Sequence, residues 1–140
     1  MDEPLEKAAG RLLARNAQRS EVVTLPSGVQ YETIAESKGQ VISLAPASSA
    51  ATGGGQMLEA HYRVCRADGI RFADSSEIQE GLPVAISTAD LEPGWVEGMT
   101  GMALGEKRRL WVPTEESAKG LLAKAGGALV IDIQVVRQLR

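Results

Sequence analysis

The run ALVIDIQVVRQL, residues 128–139, alternates with a period of two. Leu129, Ile131, Ile133 and Val135 fall on one face and Asp132 and Gln134 on the other, with Val130 an apolar exception. Successive side chains of a strand point to opposite faces, so this pattern predicts a sheet with one dry face and one wet face. Such a sheet is antiparallel, because parallel sheets are covered on both sides and read as continuous apolar runs. Its dry face needs a cover, and large side chains are scarce: two tryptophans, two tyrosines and one phenylalanine in 140 residues. One tryptophan, Trp95, follows Pro93-Gly94 and opens a segment with glycines at 94, 98, 101 and 105. That segment reads as one very short helix with the chain's largest side chain at its mouth.

The rest of the chain supplies strands. VQYETIAE (residues 29–36) alternates after the turn chemistry of LPSG, and MLEAHYRVCR (57–66) is a second strand. The Asp-Gly of ADG (67–69) signals a hairpin turn into IRFADSS. GLPVAIS (81–87) and KRRLWVP (107–113) are further strands, and APASSAATGGGQ (45–56) is a flexible surface loop of small residues. Residues 4–18 predict a helix, with Asp2 or Glu3 as its cap and Pro4 in its first turn. Its apolar stripe of Leu5, Ala8, Ala9, Leu12 and Leu13 is narrow. It therefore predicts a helix that docks on something or ends a longer stalk, makes few contacts with the main domain, and can be deleted at little cost. The class is α+β: an N-terminal helix and linker over 1–24, then one domain over 25–140.

Composition narrows the function. Charged residues make up 24% and the net charge is −3, so nothing attracts nucleic acid in general. The densest basic spot, EKRRL (106–110), reads as the solvent face of a strand. Cys65 is the one cysteine, and no Cys/His cluster has zinc spacing, so neither an internal disulfide nor a metal is expected. No run approaches the ~18 apolar residues of a membrane span. The charged N-terminus lacks the apolar core of a secretory signal, which places a native start in the cytoplasm and a trimmed one in the periplasm as the alternative.

Catalytic constellations are few. His61 and Cys65 are four apart on a strand, roughly 13 Å, too far for a dyad. GMTGMALGEK lacks the spacing and the hydroxyl of a phosphate loop, and adjacent Glu115-Glu116 reads as a solvated turn. What remains is an apolar site that works without a titratable nucleophile or a cofactor, or no enzyme.

LPSGVQYETIAE, AHYRVCRADGIRFADSS, LPVAISTADLEPGWVEGMTGMALGEKRRLWVP and ALVIDIQVV stand in the order and spacing of the FKBP-type peptidyl-prolyl cis-trans isomerases, which the chain resembles from about Leu25 to Val136. Its flavour is that of the bacterial macrophage-infectivity-potentiator type, where an N-terminal helix precedes an LPSG entry. The resemblance implies an antiparallel sheet wrapped around one short helix. It also implies isomerisation of Xaa–Pro bonds in a hydrophobic cleft, with proline-containing polypeptides as substrates and macrolide inhibitors as candidate ligands. A non-catalytic chaperone or partner-binding module on the same fold is the alternative. The chain is a monomer, or a dimer through the N-terminal helix.

The same resemblance implies the site. Tyr62 stands at the pocket-wall tyrosine of the His-Tyr pair, Trp95 at the floor, and Phe72 with Asp74 at the Phe-Asp pair, although Ala73 is inserted between them. Val84 or Ile86 occupies a wall position, and Ile131 matches a phenylalanine of the last strand. Leu91 and Glu92 precede Pro93-Gly94-Trp95, and the second of them offers its backbone N–H to the substrate carbonyl. Lys119 stands where the family places a tyrosine hydroxyl, and the flap is shortened to LLAKAGG (121–127). These departures predict a shallower, wetter cleft and weaker activity.

Overall fold

The computed structural model describes residues 5–42, 57–66, 70–75, 82–87, 93–113 and 128–138. The expected loop over 45–56 and the hairpin turn at 67–69 lie outside them. The elements are α1 (Leu5–Asn16), β1 (Val22–Thr24), β2 (Gln30–Ala35), β3 (Met57–Arg66), β4 (Arg71–Asp74), β5 (Val84–Ser87), α2 (Pro93–Met99), β6 (Lys107–Pro113) and β7 (Ala128–Gln138). β1 was not expected: three residues carry no readable period.

The strands form one sheet in the order β1-β2-β6-β7-β3-β4, with every pairing antiparallel. β4 and β5 share one edge of β3: β5 takes Met57–Ala60 and β4 takes Arg63–Cys65. The inner face carries Leu58, Ala60 and Val64 of β3, Leu110 and Val112 of β6, and the four alternating residues of β7. Trp95, Met99 and Met102 close this core from the side of α2.

α2 lies close to β6 because its glycines have no side chains there. A Cβ on Gly94 would fall 2.6 Å from Val112 Cγ1, and one on Gly98 would fall 3.0 Å from Leu110 Cδ2. Gly101, just past the helix, has φ +84, a left-handed conformation that only glycine adopts at no steric cost.

The end of α2 is held by a buried cation. Arg108 is not on the wet face, as the basic run suggested; it points inward and is 6% exposed. Its Nη1 donates to the carbonyls of Gly98 (3.0 Å) and Thr100 (2.9 Å), and its Nε to Glu106 Oε2 (2.6 Å). The guanidinium carbon lies 4.1 Å from the centre of the Tyr31 ring, a cation–π contact. Glu106 also accepts from the Ala103 N–H (3.0 Å) and from Thr33 Oγ1 (2.9 Å). Burial alone would raise its carboxyl, but these hydrogen bonds and the Arg108 charge outweigh it and hold the group below the ordinary 4.5.

α1 rests on the outer face through a small number of contacts, in keeping with its narrow stripe. Ala9 and Asn16 are buried, Gln30 Nε2 of β2 donates to the Leu13 carbonyl (2.8 Å), and the outward-facing Trp111 is only 4% exposed. Its narrow stripe suffices because it covers one ring rather than building a core.

Three outcomes follow. Arg108→Met leaves Glu106 buried without a counter-charge and lowers the urea-unfolding free energy by about 3–5 kcal/mol, whereas Arg108→Met combined with Glu106→Gln restores much of it. Because the folded carboxyl titrates below its unfolded value, its stabilisation is present above pH 4.5 and is lost as pH falls through the folded value; Glu106→Gln therefore flattens the acid limb of the stability profile. Deleting residues 1–17 exposes Trp111 and costs about 2–3 kcal/mol, the scale of uncovering one large apolar side chain. A red shift of tryptophan emission accompanies it.

Candidate functional site

The inner face of β3 runs Leu58, Ala60, Tyr62, Val64, and Tyr62 falls at a gap along its edge. β5 ends its pairing at Ala60 and β4 begins at Arg63, so no strand among the described residues flanks Tyr62 on that side. The backbone N–H of Tyr62 donates instead to Ser75 Oγ at 3.0 Å. Ser75, buried just after β4, was not anticipated; nothing in its sequence neighbourhood separates it from Ser76. The gap leaves the Tyr62 ring half-buried, and it meets Trp95 edge-on, with centroids 5.9 Å apart and planes at 69°. This geometry suits two aromatic quadrupoles.

Trp95 is 6% exposed, and its indole Nε1 meets no acceptor among the described residues. Val84 and Ile86 stand opposite Ala60 and Leu58, hence on the same inner face, and both are half-buried. Phe72 packs against the same core cluster. Ile131, expected on a cleft wall, is fully buried inside that cluster. Leu91, Glu92 and Lys119 lie outside the described residues.

The inserted Ala73 decides where Asp74 goes. Ala73 pairs with Val64 but Arg71 pairs with Cys65, so β4 has one extra residue, Phe72, in a bulge. Phe72 and Ala73 both pack against the core, and Asp74, opposite Arg63, is turned to the outer face. There its carboxylate lies 3.5 Å from Arg71 Nη1. The expected grouping of Asp74 with Trp95 does not form, because Asp74 shares the outer face with Arg63 directly opposite; with Tyr62 it lines a separate cavity.

Asp74 instead lines a polar cavity of about 370 Å³ with His61, Arg63, Lys107, Asp132 and Gln134, which also touches Tyr62 and Ile133 but not Trp95. On the aromatic side the described carboxylate–guanidinium pair, Glu106 and Arg108, is engaged in holding the end of α2. Among the described residues no group of three or more His, Cys, Asp or Glu side chains could hold a metal ion. No helix among them is long and apolar enough to cross a membrane.

Comparison with known proteins places this arrangement. The FkpA isomerase of Aeromonas hydrophila is 27% identical over 135 residues, covering 94% of this chain and 46% of that protein. FK506-binding protein 2 of Yarrowia lipolytica is 36% identical over 59 residues, covering 42% of this chain and 41% of that one. The chain spans about half the length of the curated relatives it matches. A crystal structure of a Pseudomonas syringae peptidyl-prolyl cis-trans isomerase superposes with a TM-score of 0.71 at 22% identity, covering 100% of this chain and 99% of that one. The family model for FKBP-type peptidyl-prolyl cis-trans isomerases matches residues 49–136, more than half the chain, and the chain belongs to that family.

Proposed function

We propose that the chain is a peptidyl-prolyl cis-trans isomerase that acts on proline-containing polypeptides and assists their folding, without covalent chemistry or a cofactor. The observation that carries this reading is the Tyr62–Trp95 edge-to-face pair at the gap between β4 and β5, on the apolar face of the sheet. An Xaa–Pro bond rotates over a barrier of roughly 18–20 kcal/mol set by amide resonance. The twisted transition state has lost that resonance, so its carbonyl is less polarised than in the planar ground state. An apolar site shaped to the twisted form lowers the barrier by differential binding, and each ~1.4 kcal/mol is tenfold in rate.

In this reading Trp95 is the floor on which the proline ring rests, Tyr62 and Phe72 are walls, and Val84 and Ile86 close the side of β5. By the family resemblance Leu91, Glu92 and Lys119 are assigned to substrate binding, Glu92 through its backbone N–H. Ile131 supports the floor from within the core. Asp74 takes no part, since its carboxylate faces away. A macrolide inhibitor would use the same floor. We assign residues 25–140 to the isomerase domain and treat the chain as a monomer, because α1 already covers its own sheet. The compartment is the cytoplasm or the periplasm; the lone Cys65 suits either.

One observation favours the non-catalytic alternative: Ala73 sits on the inner face where the family resemblance placed a carboxylate. A protease-coupled assay on a short Xaa–Pro peptide separates the readings. Trp95→Leu and Tyr62→Ala lower kcat/KM at least tenfold, while Asp74→Asn changes it less than twofold. A wild-type rate no faster than the uncatalysed one establishes the binding module instead.

Lys119→Tyr tests the flap side independently. A restored neutral hydrogen bond contributes about 0.5–1.5 kcal/mol net, and the ring excludes water. In the same assay kcat/KM rises about threefold to thirtyfold.

A further inference from the structure

The outer face of the sheet holds a second recess, of about 380 Å³, between α1 and strands β3, β6 and β7. Its walls carry four guanidiniums, from Arg19, Arg63, Arg66 and Arg109, and one carboxylate, from Asp132. Arg19 reaches out of this set to Glu32, at 2.8 Å. Arg109 and Arg63 converge on the single Asp132, Arg109 through Nε at 2.7 Å and Arg63 through Nη2 at 3.8 Å. Glu32 stands opposite Arg109 and Asp74 opposite Arg63, so carboxylates flank both cations, while the lining of the recess itself is four guanidiniums to one carboxylate.

The remaining wall is apolar, formed by Leu12, Trp111 and Val130. Asn16 lines the recess as well; it is 2% exposed, and its Nδ2 meets no acceptor among the described residues. A buried amide donor without an acceptor is destabilising, so the wall presents an unmade hydrogen bond beside its guanidiniums. An apolar surface with a few convergent polar groups is the form of a small-molecule site.

We infer that this recess binds a small amphipathic organic anion: a carboxylate held by Arg63 and Arg109, with Asn16 Nδ2 as a further donor, on an apolar body lying against Trp111 and Val130. The site is on the face opposite Trp95 and stands whether or not the chain is an isomerase.

The test is a titration of the full ¹⁵N-labelled chain, followed by NMR at constant ionic strength, with three probes. 2-Naphthoate supplies the anion and the apolar body, 2-naphthamide the body without charge, and inorganic phosphate the charge without the body. Expected are saturable shifts from naphthoate at the Asn16 side-chain amide and at the backbone amides of Cys65 and Val130. Both other probes bind at least tenfold more weakly. Arg63→Gln, at a side chain 52% exposed, weakens naphthoate at least fivefold. Shifts that do not saturate, or that map to the Trp95 face, overturn the inference. So does naphthamide or phosphate binding as tightly as naphthoate. Should Arg63→Gln fail to fold, the three-probe comparison on the wild-type chain decides alone.

Discussion

A buried guanidinium fixes the position of the short helix α2. α2 has seven residues, fewer than an isolated helix needs to persist in water, so tertiary contacts must hold it in place. Its last carbonyls have no helical N–H to accept from, and its C-terminal end is the negative pole of the helix dipole. Arg108 meets both needs by donating to Gly98 and Thr100. Taking such a cation out of water costs several kcal/mol, and only good geometry offsets it. Here the offset comes from Glu106 at 2.6 Å, two carbonyls and the face of Tyr31. Glu106 in turn binds β2 through Thr33 and the turn before β6 through the Ala103 N–H. With that end fixed and Gly94 pressed on Val112 at the other, Trp95 has one place to stand.

The second constraint is the period of two. Each residue inserted in a strand would turn every later side chain to the other face. Ala73 is such an insertion, and the Phe72 bulge confines it by leaving two consecutive residues on the core side. The apolar pair stays inside and the charge of Asp74 goes outside. A regular strand continued from the Cys65–Arg71 pair would bring Asp74 opposite Tyr62, putting a carboxylate on the apolar face of the sheet. Burial of an unpaired carboxylate costs far more than one bulge.

Much of this was legible in the residues. The alternation of β7, the strand character of β3 and β6, and the short glycine-marked helix all follow from periods that local sequence carries. Arg108 was not legible, because its inward turn depends on carbonyls of α2 and a carboxylate two residues away, and the residue type argues for water. Gln30 and Trp111 gave no sign that α1 would cover them, since each side of that contact is weak alone. Ser75 was missed for a similar reason: its role arises from the missing strand beside Tyr62, a property of the pairing and not of the serine. Asp74 was placed by analogy with a family pattern, and one inserted residue sufficed to turn it away. Leu91, Glu92 and Lys119 lie outside the described residues and rest on the resemblance.

The two faces of the sheet differ in what chemistry they can support. Rotation about an amide bond passes from a polarised planar form to a less polarised twisted one. A site lined by Arg63, Lys107, Asp74 and Asp132, and open to water, stabilises the polarised form at least as well as the twisted one, so it gives no differential binding. An aromatic wall at Tyr62 and Trp95 does the reverse, since it offers contact area without a field that favours the ground state. The outer recess, lined by four guanidiniums and one carboxylate, suits a different task, recognition of charge, where a neutral peptide bond gains little. One sheet thus separates the two: side chains one step apart on β3 and β7, such as Tyr62 and Arg63 or Ile131 and Asp132, serve opposite sides.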